Sequence, residues 1–154
     1  MKKTATLMAM IFILIVLFAA ESFAQPGKGM KWQGSGGWGM GTHYSRLYNP
    51  KAIETIGGEV VNVETITPMK GMSSGVHLML KTDKETISVH LGPAWYIQRL
   101  YMKIATGDKV EITGSRVTFQ GNPAIIAAEV KKGDEILRLR DENGFPVWSG
   151  WRRR

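Results

Sequence analysis

Three histidines, nine methionines and no cysteine set the limits on metal and redox chemistry in this 154-residue chain. Without a thiol there is no thiolate metal site, no CxxCH haem attachment, no cysteine nucleophile and no disulfide scaffold. The imidazoles and thioethers that remain are nitrogen and soft sulfur donors suited to copper or zinc. Two of the histidines sit in short runs of alternating character, Val76–Lys81 and Thr86–Leu91, with Thr82-Asp83-Lys84-Glu85 between them. Paired as a hairpin, these runs put Leu80 opposite Ile87, Leu78 opposite Val89 and Val76 opposite Leu91. Alternation then makes those six residues one apolar face. The other face presents His77 opposite His90 and Met79 opposite Ser88. Opposed β-carbons lie about 4.5–5.5 Å apart, close enough for two imidazoles to share a Cu or Zn ion. Met79, Met69, Met72 or His43 supply further donors if the loops bring them near. The competing reading is a surface or interface pair partly covered by Trp95 and Tyr96.

The other chemistry-bearing groups are weaker. The stretch MKWQGSGGWGMGTH offers methionine, indole and one imidazole to a soft ion such as Cu(I), or is simply a glycine-rich tether whose tryptophans pack back on the fold. PAWYIQRLYMK carries Trp95, Tyr96, Leu100, Tyr101 and Met102, which either plug one end of a barrel or form a ledge for a stacked ligand. With Arg99, Lys103, Arg116, Arg138 and Arg140 such a ledge suits an oligonucleotide or a glycan. Export argues against a nucleic acid as the ligand in the cell. The end of the chain, Trp148-Ser149-Gly150-Trp151-Arg152-Arg153-Arg154, combines indoles and guanidinium groups that fit a partner protein or an anionic membrane surface. Alternatively, Trp148 folds back as a cap. No GxSxG, HExxH or P-loop pattern is present, and Asp134, Glu135, Asp141 and Glu142 read as solvated acids. The chain is therefore expected not to be an enzyme.

The elements that must position these residues follow a secretory segment. Lys2 and Lys3 precede an apolar run through Ala20, and Ser22-Phe23-Ala24 has the small residues of a cleavage site, predicting a signal peptide over 1–24 and a periplasmic location. An uncleaved anchor is the alternative, though the run falls short of the roughly 20 residues that span a bilayer. Removing Lys2, Lys3 and Glu21 leaves 18 basic and 12 acidic residues, net +6, a balance that favours acidic partners and surfaces. Residues 25–49 read as a flexible glycine-rich leader, with Tyr44–Pro50 as the entry to the fold, and residues 143–154 as an aromatic and basic tail.

Between them, residues 50–142 form one domain. Ile56–Thr67, with a bend or bulge at Gly57-Gly58, is the first strand, and the histidine hairpin supplies two more. Pro93–Lys103 is predicted to be helical. Lys109–Phe119 and Ala124–Lys131 make a second hairpin around Gln120-Gly121-Asn122-Pro123, and Glu135–Arg140 is a last strand. The order predicts a mostly β protein, a small OB-fold-like barrel of five or six strands with one short helix between strands 3 and 4. A β-sandwich is the alternative.

The segments GEVVNVETITPMKGMSSGVHLMLKTDKETISVHLGPAWYI, GDKVEITGSRVTFQGNPAIIAAEVKKGDEILRLRDENG and FPVWSGW also resemble exported bacterial domains of OB-like fold, the group shared by the magnetosome proteins MamS and MamX. VHLGPAWY and LRLRDENG…PVWSGW are the distinctive parts. The resemblance implies a periplasmic domain. The CxxCH motifs of electron-transferring magnetosome proteins have no counterpart here. Together these readings predict a non-catalytic periplasmic binding or accessory module that engages an envelope protein through Trp95, Tyr96, Arg99, Trp148 and Trp151. The alternatives are a Cu or Zn protein built on His77, His90 and Met79, and an oligonucleotide- or glycan-binding barrel.

Overall fold

The computed structural model describes residues 35–150. The expected signal segment, Met30, Trp32, Trp151 and the terminal arginines lie outside the described residues. Six strands dominate: β1 (Ile53–Ile66), β2 (Gly75–Lys81), β3 (Thr86–Pro93), β4 (Lys109–Phe119), β5 (Asn122–Lys132) and β6 (Glu135–Arg138). A one-turn helix, α1 (Ala94–Ile97), falls between β3 and β4, as the sequence order predicts. The strands run β3-β2-β1-β4-β5-β6 with antiparallel neighbours. A parallel pairing of Ser88–His90 with Ala124–Ile126 joins β3 to β5, so five strands close into a ring.

β1 makes this possible by serving two partners. Its first half pairs with β4 as far as Glu59–Lys109, and its second half pairs with β2 from Glu59–Lys81 to Ile66–Gly75. The strand must coil where it changes partner, and a β-carbon at Gly58 would collide with the Lys81 carbonyl there. The register irregularity lies just beyond, between Val60 and Asn62, rather than at the glycine pair. β4 turns into β5 through Gln120 and Gly121, both at positive φ (50° and 80°), as a two-residue hairpin requires. Pro123 then sits next to the first residue of β5, where a proline is tolerated.

The helix is much shorter than the Pro93–Lys103 span predicted from sequence. Leu100, Met102 and Ile104 pack against the core while Tyr101, Lys103 and Ala105 are exposed. A repeat of two belongs to extended chain, so burying these three residues pulls the backbone out of the helix after Ile97. Inside the ring, Val60, Leu78, Leu80, Val89, Leu91, Ile112, Ile125 and Val130 are fully buried.

The stretch expected as a leader is folded from Ser35 onward. Residues 35–49, here called the strap, lie against the outside of the ring, with Trp38 and Tyr44 buried. The Trp38 indole donates to the Ser73 carbonyl at 3.0 Å. Asn49 exchanges hydrogen bonds with the Ser115 hydroxyl through its backbone N–H and C=O. A β-carbon at Gly75 would fall inside the Trp38 ring, so the bare backbone there is what admits the indole.

Candidate functional site

β2 and β3 pair with His77 opposite His90 and Met79 opposite Ser88, through a four-residue loop over Thr82–Glu85. One step of the expected register fails: Val76 pairs with Gly92, not Leu91, because the ladder slips between Val76 and His77. Leu91 remains in the core nonetheless. His77 stays opposite His90, and the two imidazoles lie face to face, with ring centroids 3.7 Å apart and planes 11° from parallel.

This pair is not a surface feature. Both histidines are 1% exposed. Their cover comes from the strap and from β4, not from Trp95 and Tyr96. Tyr44 lies parallel to His90 with centroids 6.0 Å apart, and Phe119 meets His90 edge-on at 4.8 Å. Trp38 packs edge-on against Tyr44 at 5.0 Å. The Tyr44 hydroxyl and His90 Nδ1 are 2.8 Å apart. Burial raises the pKa of Tyr44, so the group bonded to His90 Nδ1 is the neutral phenol. Neither ring nitrogen of His77 has a hydrogen-bond partner.

Both rings are neutral at pH 7. Burial pulls the His77 pKa down to about 4. Burial, then the neighbouring His77, then Arg140 bring His90 to about 3. Arg140 is a second buried polar group of this layer. It donates through Nη1 to the carbonyls of Leu91 and Ala127, and its guanidinium lies 4.9 Å from the centre of the Trp148 ring. Trp148 in turn donates to the Trp38 carbonyl at 2.9 Å and contacts Tyr96 at 5.5 Å.

This arrangement has a specific consequence for metal chemistry. Lone pairs of imidazole nitrogens lie in the ring plane, and two nearly parallel planes 3.7 Å apart do not converge on one ion. Two rings as stacked here do not fit a shared Cu or Zn ion, and one would have to rotate. Met79, half-buried, is two residues along β2 from His77 on the same face, and His43 is exposed. Among the described residues no group of three or more His, Cys, Asp or Glu could hold a metal ion.

The comparison with known proteins covers the strands of the ring. Residues 52–137 match the MamS/MamX magnetosome protein family. The chain belongs to that family. No curated protein matches it. The MamS/MamX span runs from just before β1 into β6 and contains both histidines and Phe119. Tyr44, which stacks on His90, and Trp38, Arg140 and Trp148 of the same buried layer lie outside that span.

The remaining sequence-predicted residues are dispersed. Arg99 is exposed and Trp95 half-buried at the α1 end, whereas Tyr96 and Trp148 are buried and cannot meet a partner as they stand. The five basic residues do not line one groove: Arg140 is buried, and Arg116 is tied to Glu54 at 2.7 Å and Glu85 at 2.5 Å. Tyr44 and Phe119 carried no signal as site residues in the sequence. Only a hairpin register extended to the strap and to β5 would have shown them converging on His90.

Proposed function

We propose that this chain is a non-catalytic accessory module of the bacterial periplasm, exported by its N-terminal segment, that binds an envelope protein. Its ring reads as an OB-like barrel, supported by the β3–β5 parallel closure and by the helix between β3 and β4. One observation carries the functional reading. The stacked histidines and Tyr44 are enclosed, while Arg99 and a fully exposed Tyr101 follow α1 at the surface, close in the chain to the half-buried Trp95. Arg, Tyr and Trp are the residues that dominate the energy of protein interfaces. No helix among the described residues is long and apolar enough to cross a membrane. The test is site-specific photocrosslinking in cells, with the crosslinker at position 99 or 101 and, as control, at Lys131. A discrete crosslink from 99 and 101 alone is expected, and an identical pattern from Lys131 overturns the reading.

A Cu or Zn role for His77 and His90 rests on a different observation, the two unpartnered buried nitrogens of His77. It demands that the stack open. Calorimetric titration of the folded chain with Zn(II) and Cu(II), repeated on the His77→Ala, His90→Ala double variant, decides it: equal heats in both sink the metal reading.

A further inference from the structure

β1 outruns its partner on one side. Its pairing with β4 ends at Glu59–Lys109. Val60 still donates to the Asp108 carbonyl at 2.8 Å and accepts from the Gly107 N–H at 2.7 Å. From Val61 to Ile66, only β2 pairs with β1 among the described residues. This leaves one edge of six residues with backbone donors and acceptors facing outward. The edge reads Val61-Asn62-Val63-Glu64-Thr65-Ile66, four of six β-branched, with none of the lysines or prolines that blunt natural edges. Val61, Val63 and Ile66 are 40, 37 and 36% exposed.

A cavity lies beside the same edge. Val63 and Thr65 share with Met102, Ile104 and Leu137 the lining of an apolar hollow of about 200 Å³. An engineered apolar cavity of about 150 Å³ already accepts benzene, so this one has room for a side chain or two from outside.

We propose that this edge is a self-association surface: Val61–Thr65 pairs antiparallel with the same segment of a second copy. In the register centred on Val63, Val63 faces its own counterpart and Asn62 faces Glu64 of the second copy, while Val61, the extra residue of the bulge between Val60 and Asn62, stands outside this alternation. Opposed residues share a face of the joined sheet, so Val63 of the second copy comes to the cavity side. On the outer face, the Asn62 amide meets a carboxylate, the same pairing that Asn62 Nδ2 makes with Glu64 Oε1 at 2.7 Å within one chain. Glu64 is the sole charge on this edge, and it meets a neutral amide, so no like charges oppose. A two-fold interface demands this self-complementarity of a single segment, and a peptide from another protein does not. The contact is short, well under the roughly 1,200 Å² of a standard interface, so the association is weak and concentration-dependent.

Sedimentation velocity on the exported chain from about 5 to 500 µM spans the micromolar-to-millimolar range such a contact implies. A dimer growing with concentration is expected, with amides of residues 61–66 gaining hydrogen-exchange protection as it forms. Val63→Lys weakens the dimer at least about tenfold, the cost of burying an unpaired charge, while circular dichroism shows the fold intact. Ile136→Lys, on the exposed edge of β6, leaves the dimer unchanged. A chain monomeric throughout the range overturns the proposal. So does a dimer that Val63→Lys leaves intact, or one that Ile136→Lys abolishes. If the chain stays monomeric but an added VNVETI peptide protects residues 61–66, the edge binds strands from elsewhere, and self-association is again refuted.

Discussion

Leu78 and His77 are neighbours on β2, yet they face two interiors that hold together for different reasons. On the Leu78 side, aliphatic side chains from five strands fill the ring and carry no polar atom. Their stabilisation is non-directional and scales with buried area, about 25 cal/mol per Å². On the His77 side, flat rings are stacked between the ring and the strap, fixed by a few directional bonds: Trp38 to Ser73, Trp148 to Trp38, and Tyr44 to His90. The aliphatic residues of the first interior carry no group that titrates. The second contains two rings that protonate in mild acid once released and a buried guanidinium, so its stability depends on pH and on the strap staying in place. The layer supplied partly from outside the family-matched span is therefore the conditional one.

Cutting into each interior should expose this difference. Leu78→Ala removes a fully buried side chain from the ring and is expected to cost about 2–5 kcal/mol, read as a drop in denaturant midpoint for the whole domain. Its effect should be the same at pH 7 and pH 5. A loss confined to the acid side would mean that the two interiors are not separate.

Acid should act on the other interior alone. His77 and His90 are held near pKa 4 and 3, below the ordinary value of 6.5 reached on unfolding. The unfolded chain therefore takes up protons first, and stability present above pH 6.5 is lost as the pH falls through 6.5 toward 4. Between pH 7 and pH 5 the loss is expected to be on the order of 3 kcal/mol for the two rings together. Carboxylates titrate lower, so this window isolates the histidines. Replacing both by phenylalanine should flatten the curve there. A slope that persists in the double variant would place the acid sensitivity elsewhere.

A smaller perturbation tests the bond that orients the stack. Tyr44→Phe keeps the ring against His90 but removes the hydroxyl bonded to Nδ1, leaving a buried ring nitrogen unpaired at a cost of about 1–3 kcal/mol. Hydrogen exchange should rise in residues 35–48 well before it rises in β4 and β5. Uniform loss of protection would show that strap and ring unfold as one unit.

How far these two interiors were legible in the sequence follows the same division. Alternation in Val76–Lys81 and Thr86–Leu91 is a local signal, and it correctly places Leu78, Leu80, Ile87 and Val89 inside and His77 opposite His90. The strand boundaries of β4 likewise follow from its own residues. Legibility fails where distant segments decide. Glycine density in residues 34–41 suggests a disordered tether, because composition cannot show that Gly75, some forty residues on, leaves a slot for Trp38. The same blindness left the histidines on a surface: Tyr44 and Phe119 lie 46 and 29 positions from His90, and only the closed ring with its strap brings them there. The helix was overextended because Pro93 and the residues after Ile97 have ordinary helical propensity. Tertiary packing of Leu100, Met102 and Ile104 overrides it.

The smallest expected effect on stability comes from the residue on which the functional reading leans most. Tyr101 makes no use of either interior: it is fully exposed, one position out of step with Leu100 and Met102, which the core holds. Tyr101→Ala should therefore leave the unfolding midpoint within about 0.5 kcal/mol of the parent, at pH 7 and pH 5 alike. The same substitution should abolish the crosslink formed from position 99, since an exposed aromatic kept beside an arginine has its energetic use in a contact with another molecule. Stability unchanged together with binding lost would separate the partner face from both interiors. A destabilised variant would mean that Tyr101 packs in solution, and the α1 end would then lose its standing as the docking surface.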